Sequence, residues 1–195
     1  MDVNMAVDMD VARRAAVFVG NGWSSFTSNI VYRRLVDDQR LLAAAREDND
    51  DLIQEIFEDE ESFDINYQDG LGNTALHYAV IHLSDAVLEH ILSHDNCDVD
   101  PVNRIDQQTP LHLAVKISNS SARLHFVEQL LEAGADTTIK DKYGERAVDF
   151  IPDGPEGNEV RKLFRKEEAR SMISKDDVAS DDDGEPGSGS GSDDD

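Results

Sequence analysis

The sequence predicts an all-α solenoid of about four helix–turn–helix repeats with disordered termini, and three observations predict it. Thr74-Ala75-Leu76-His77 recurs as Thr109-Pro110-Leu111-His112, 35 residues later. Weaker echoes flank these two: Leu42 and Ala45 repeat the spacing of Leu76 and Ala79, and Gly144-Glu145-Arg146-Ala147-Val148 aligns with Gly72-Asn73-Thr74-Ala75-Leu76. Four apolar clusters follow in step, namely Ile53, Ile56 and Phe57; Val87, Leu88, Ile91 and Leu92; Phe126, Val127, Leu130 and Leu131; and Val160, Leu163 and Phe164. Their i, i+3, i+4 spacing is that of a one-sided helix. A pair of short helices with one apolar face cannot bury it alone, so neighbouring units have to stack.

Taken in chain order, residues 1–36 form an extension whose order the sequence leaves open. Met1 to Met9 alternates apolar and polar residues, Val11 to Val19 is mostly apolar around Arg13 and Arg14, and Gly20-Asn21-Gly22 breaks any element. The repeat domain is expected over 37–170. Its first unit lacks the T-x-L-H motif, and Glu47 to Asp64 holds ten acids and no base, which suits an N-terminal cap. In the second and third units Thr74 and Thr109 stand where an N-cap hydroxyl accepts from free first-turn N–H groups. Pro110 fits the first helical turn, where its missing N–H has no intrahelical partner anyway. Gly134 is placed for a left-handed C-cap, and Gly72 and Gly144 fall in the turns before their helices. Gln107 takes the turn-glycine position of the third unit and is expected to reshape that turn. Ile117 to Arg123 holds about four extra positions relative to the usual repeat period. Its Ser118-Asn119-Ser120-Ser121 run predicts a protruding, solvated loop. The fourth unit has Asp149 in place of the motif histidine. Pro152, Gly154, Pro155 and Gly157 interrupt it, as in a degenerate capping unit. Its last helix, Glu159 to about Arg170, carries Arg161, Lys162, Arg165 and Lys166. The tail, residues 171–195, has too little apolar content to offset its ordering entropy and is expected to be disordered. Ser180 and Ser192 each precede three Asp residues, a pattern favoured by acidophilic kinases, and are candidate phosphorylation sites.

Composition narrows the function. Forty-two acidic side chains face 18 basic ones, for a formal charge of −24. Nucleic acid and anionic membrane surfaces repel such a chain. One cysteine, Cys97, forms no internal disulfide, which points to a reducing cytosol or nucleus. No apolar run approaches a membrane span, and nothing near the start reads as a leader segment.

These residues resemble the ankyrin repeat, whose signature Thr109-Pro110-Leu111-His112-Leu113-Ala114 carries in full. Leu130-Leu131-Glu132-Ala133-Gly134-Ala135-Asp136 is similar to the family's second-helix ending, and the second unit departs from the signature only at Ala75. Gly70-Leu71-Gly72-Asn73-Thr74-Ala75-Leu76-His77, the later Val99-Asp100-Pro101-Val102-Asn103-Arg104 and the acidic Gly-Ser tail resemble the small fungal ankyrin-repeat proteins with an acidic C-terminal tail.

The resemblance implies non-catalytic protein–protein binding by an adaptor or scaffold, through finger tips and the inner helix face. By register these positions are Glu47 and Asp48; Gly70, Leu71, Asn73, Ile81 and His82; Ile105, Asp106, Gln108, Lys116 and Ile117; and Lys142, Tyr143 and Glu145. Leu71, Ile81, Ile105, Ile117 and Tyr143 are expected to form one apolar stripe with an acidic rim, suited to a basic, partly apolar segment. An alternative reading is a chaperone that shields a basic client such as a ribosomal or histone-like protein. A monomer is expected from the capped ends and self-repulsion. The resemblance assigns His77 and His112 to backbone hydrogen bonds between adjacent turns. His90 and His94 lie one helical turn apart with His82 nearby, but no third ligand is ordered by sequence, so no metal and no cofactor are expected. The chain contains no G-x-x-x-x-G-K, G-x-G-x-x-G or G-x-S-x-G, and no enzyme is expected.

Overall fold

The computed structural model describes residues 25–176, with side chains from Tyr32 to Arg170. Seven α-helices and one 3₁₀ turn follow one another among them. These are α1 (Ser25–Glu47), α2 (Asp50–Phe57), α3 (Ala75–His82), α4 (Asp85–Leu92), α5 (Pro110–Ala114), α6 (Ser120–Glu132), the 3₁₀ turn Ala147–Phe150, and α7 (Pro155–Asp176). The inner row consists of α1, α3, α5 and the 3₁₀ turn, each packed on the next; α2, α4, α6 and α7 form the outer row. Between the rows lies one continuous core in which Leu41, Leu42, Ile53, Leu76, Leu88, Ile91, Leu111, Leu130 and Phe164 are fully buried. Each such side chain contributes about 1.5–3 kcal/mol relative to exposure.

Capping explains where the helices start. Thr74 Oγ1 accepts from the His77 N–H, and the His77 ring reaches back to the Thr74 N–H; Thr109 and His112 repeat this arrangement. Asn49 caps α2 by accepting from Leu52 N–H. Ser84, at the start of α4, forms no cap of its own. Its hydroxyl instead donates to Ala45 O (2.7 Å), while Asp48 Oδ1 accepts from Val87 N–H in the first turn of α4. The α4 terminus is thus satisfied by the preceding repeat. At the other end of α6, Gly134 takes φ +93°, and Gly134 and Ala135 N–H groups return to Leu131 O and Leu130 O.

Two expected boundaries look different in three dimensions. Helix α1 begins at Ser25, ahead of residue 37, and α7 runs past residue 170 to Asp176. The expectations for residues 1–24 and for the tail beyond Asp176 lie outside the described residues, as do Ser180 and Ser192.

The protruding loop expected at Ile117 to Arg123 is corrected. Asn119 Oδ1 accepts from Ala122 N–H and starts α6 at Ser120, so the extra residues lengthen the outer helix instead. Arg123 holds this geometry: its buried guanidinium donates to Ile117 O (2.9 Å) and lies 3.6 Å from Glu156 Oε2 at the start of α7. In the fourth unit the inner helix shrinks to the single 3₁₀ turn, where Asp149 Oδ2 accepts from Arg146 N–H in place of the Thr–His box.

Candidate protein-binding face

Three tight turns, or fingers, precede the inner elements: Asp69–Asn73, Asn103–Gln108 and Asp141–Glu145. In the first and third, an Asp side chain closes the turn. Asp69 Oδ1 accepts from Leu71 and Asn73 N–H, and Asp141 Oδ1 from Tyr143 and Glu145 N–H. The second finger uses Asn103 Oδ1, which accepts from Asp106 and Gln108 N–H. It spans one residue more than the others, and Gln107 adopts φ +53° where Gly72 and Gly144 take +81° and +82°. The turn is therefore reshaped by one residue while its left-handed position is kept, at a local cost of about 1–2 kcal/mol for a left-handed non-glycine residue.

Successive fingers are stitched together. Arg104 N–H donates to Leu71 O (2.9 Å) and Lys142 N–H to Asp106 O (3.0 Å), while Lys142 Nζ also reaches Ile105 O and the Asp106 carboxylate. Below them, His77 Nε2 meets Gln108 O at 3.1 Å and His112 Nε2 meets Glu145 O at 3.2 Å. With Nδ1 accepting from the threonine N–H, Nε2 is the donor to the next finger's carbonyl. The interrepeat role that the resemblance implied for these histidines is what the geometry gives them.

Burial pushes both imidazoles below their usual value, against the opposing pull of the carbonyls they meet. Because the folded value is the lower one, the unfolded chain binds the proton more readily. The stability is complete above about pH 6.5, the ordinary histidine value, and is lost as pH falls from there toward the folded value. We expect the urea midpoint to fall between pH 7 and 5, with a limiting slope of about 1.4 kcal/mol per pH unit for each histidine. His112→Gln should flatten that slope, as followed by far-ultraviolet circular dichroism. Asp38 and Asp100, whose carboxyls burial raises, act with the opposite sign. Asp69 responds lower still: burial pushes its carboxyl up, but hydrogen bonds from Tyr78, Asn73 and Leu71, together with Arg46, hold it below the ordinary range.

The expected contact residues separate into groups. Leu71, Ile105 and Tyr143 each stand at a finger tip and are 48%, 55% and 70% exposed, Ile105 lying one residue before Asp106, which holds the position equivalent to Leu71 and Tyr143. Ile81 and Ile117 lie at the other end of the inner elements, where they line an open groove of about 440 Å³ with Val80, Leu83, Leu113, Lys116, Ser118 and Asn119. Asn73 and Gln108 are buried at the finger bases, Gln108 Nε2 donating to Asp141 Oδ2. Asp106 is tied to Lys142, Asp48 to Val87 N–H, and Lys116 Nζ rests 3.8 Å from the Phe150 ring centroid. Glu47, His82, Lys142 and Glu145 are exposed. Exposed Leu83 and Val102 were missed by sequence register, since neither falls at a signature position.

The remaining reactive side chains have structural partners. His90 Nε2 meets Asp50 Oδ1 at 2.7 Å, and the His94 ring packs edge-on to Phe57 and Phe63. Burial pushes the Cys97 thiol up to about 11, so it stays protonated near neutrality. Among the described residues no group of three His, Cys, Asp or Glu is placed to hold a metal, and no helix is long and apolar enough to cross a membrane.

The sequence profile of ankyrin repeats, in three copies, matches residues 41–141. An ankyrin repeat-containing protein of Saccharomyces cerevisiae is 34% identical over 136 residues, covering 65% of this chain and 73% of that protein. The human ankyrin repeat and SOCS box protein 6 is 36% identical over 85 residues, 43% of this chain and 19% of its own length. The human NF-kappa-B inhibitor zeta is 29% identical over 96 residues, 48% of this chain and 13% of its own. Repeated motif, stacked helix pairs and stitched fingers agree with these matches: the chain belongs to the ankyrin-repeat family, a family of protein–protein interaction modules.

Proposed function

We propose that this protein is a non-catalytic adaptor that binds a protein partner through its finger tips. One observation carries the reading. Each of the three fingers holds an exposed apolar residue at its tip, Leu71, Ile105 and Tyr143, on fingers locked to one another by hydrogen bonds. A rigid row of apolar side chains presents contact area with little ordering entropy left to lose on binding. Exposed apolar residues on successive fingers are what a partner surface requires, and single scattered ones are not.

Charge favours a second reading. Glu58, Glu60 and Glu61 stand exposed beyond α2, and the whole chain carries −24. Such a field steers basic partners and would suit a chaperone for a basic client.

Capture from native lysate separates the two. The full chain and a variant with Leu71, Ile105 and Tyr143 all changed to Ser would be washed at low and high salt, with bound proteins identified by mass spectrometry. An adaptor retains its partner at high salt and loses it in the variant. Basic proteins released by salt alone, equally from both forms, would replace that reading with the chaperone.

A further inference from the structure

We infer that the solvent face of α7 is a docking surface for the chain's own acidic tail, residues 177–195, with the cluster Asp193–Asp195 seated on Arg165 and Lys166. The inference uses neither the fingers nor the inner row of helices.

Helix α7 packs by one side only, through buried Val160 and Phe164 and half-buried Leu163. The opposite side carries Arg161, Lys162, Arg165, Lys166 and Arg170, which helical spacing gathers into one stripe. Glu159 is the one acid within that stripe, since Glu167 and Glu168 turn toward the core side and are half-buried. Three of the five bases already have carboxylates. Arg161 lies 3.0 Å from Asp153, Lys162 2.7 Å from Glu159 and Arg170 3.8 Å from Glu167. Arg165 and Lys166, at the centre of the stripe, are exposed and pair with no carboxylate among the described residues. In a chain of charge −24, two adjacent bases left open on one helix face mark a surface whose counter-charge comes from elsewhere.

Reach and charge select the tail. Residues 177–195 hold eight acids and no base, and they leave directly from the end of α7 at Asp176. Arg165 lies about 16 Å back along the helix axis from that point. A Gly-Ser run, Gly187 to Ser192, precedes the last acid cluster, and a flexible segment from Asp176 to Asp194 spans about 23 Å on average. The last cluster therefore reaches Arg165 and Lys166 without being stretched. Asp181–Asp183 spans about 13 Å, enough to fall level with Arg170. Tethering sets a local concentration on the order of millimolar, so charge pairs too weak to hold a separate partner suffice here. The acidic remainder of the chain repels the tail and leaves the basic face as its resting place. A docked tail is withheld from any basic partner, which would have to displace it from α7.

The test uses the full chain carrying Cys97→Ser and Ala169→Cys, with a nitroxide spin label on the new thiol. Ala169 is exposed in the middle of the stripe. Paramagnetic broadening of the tail amides is read by nuclear magnetic resonance on isotope-labelled protein at about 0.02 M salt, where charges act over about 20 Å. Amides of Asp193–Asp195 should broaden at least about threefold more than in the same protein with Arg165→Gln and Lys166→Gln. That excess should vanish at about 0.5 M salt. Arg104→Gln with Lys140→Gln removes the same charge beside the fingers and should leave the broadening in place. Equal broadening with and without Arg165 and Lys166 overturns the inference. Broadening seen only between isotope-labelled molecules and separate spin-labelled ones places the tail on a second copy, and it too overturns docking within one chain.

Discussion

Replacing Gly157 by alanine should detach the end of the solenoid. Gly157 lies in the first turn of α7, against the bend at Ile151 and Pro152. A Cβ there would stand 1.8 Å from Pro152 O and 3.2 Å from Ile151 Cγ2. The carbonyl is backbone and has no rotamer to turn away, so the helix must move. Moving it pulls Val160 and Phe164 from the core and separates Arg161 from Ile151 O, which it now meets at 3.0 Å. Overpacking of this kind costs about 3 kcal/mol, or roughly 6–12 °C in thermal midpoint for a chain of this size. Gly70→Ala is the matched control, because nothing lies within 4 Å of its Cβ position. It should change stability by no more than about 0.5 kcal/mol. Urea titrations of the two variants, followed by circular dichroism, decide the matter. A Gly157→Ala protein as stable as Gly70→Ala would show that α7 does not pack this closely.

The second large effect is expected at Gly72. Two glycines share nearly the same backbone angle, Gly72 at φ +81° and Gly144 at φ +82°, yet their surroundings differ. A Cβ on Gly144 meets nothing within 4 Å, whereas one on Gly72 would lie 2.6 Å from Arg104 N. That nitrogen donates the hydrogen bond joining the first finger to the second. Gly144→Ala should therefore cost the left-handed strain alone, about 1 kcal/mol. Gly72→Ala should add a steric displacement, for a total of about 3 kcal/mol. Because the displacement lies between fingers, it should also weaken partner capture beyond what its loss of stability predicts. Equal midpoints for the two variants would mean that the fingers are not held together at Arg104.

Much of this architecture is written locally. The Thr–His boxes, Pro110 at the start of α5 and Gly134 after α6 are satisfied by neighbours a few residues away, so spacing alone reveals them. Features decided by distant partners are not legible in this way. Ser118 to Ser121 reads equally as loop or as the polar start of a helix, and the choice falls to Asn119 and to Arg123 reaching between Ile117 and Glu156. The finger tips were legible because register places Leu71 and Tyr143 at equivalent points and Ile105 one residue before theirs. Burial of Asn73 and Gln108 was not, since it depends on the adjoining finger. Nor does any sequence pattern mark Leu83, because a leucine in a left-handed cap leaves no signature.

The start of α4 has a bearing on how the protein is made. Its first turn relies on Asp48 and its Ser84 hydroxyl on Ala45 O, both supplied by a segment some 40 residues earlier. On a ribosome, where synthesis runs from the N-terminus, those partners emerge first and are waiting when α4 appears. The start of α4 is thus completed by a unit already present, so its formation can follow the order of translation.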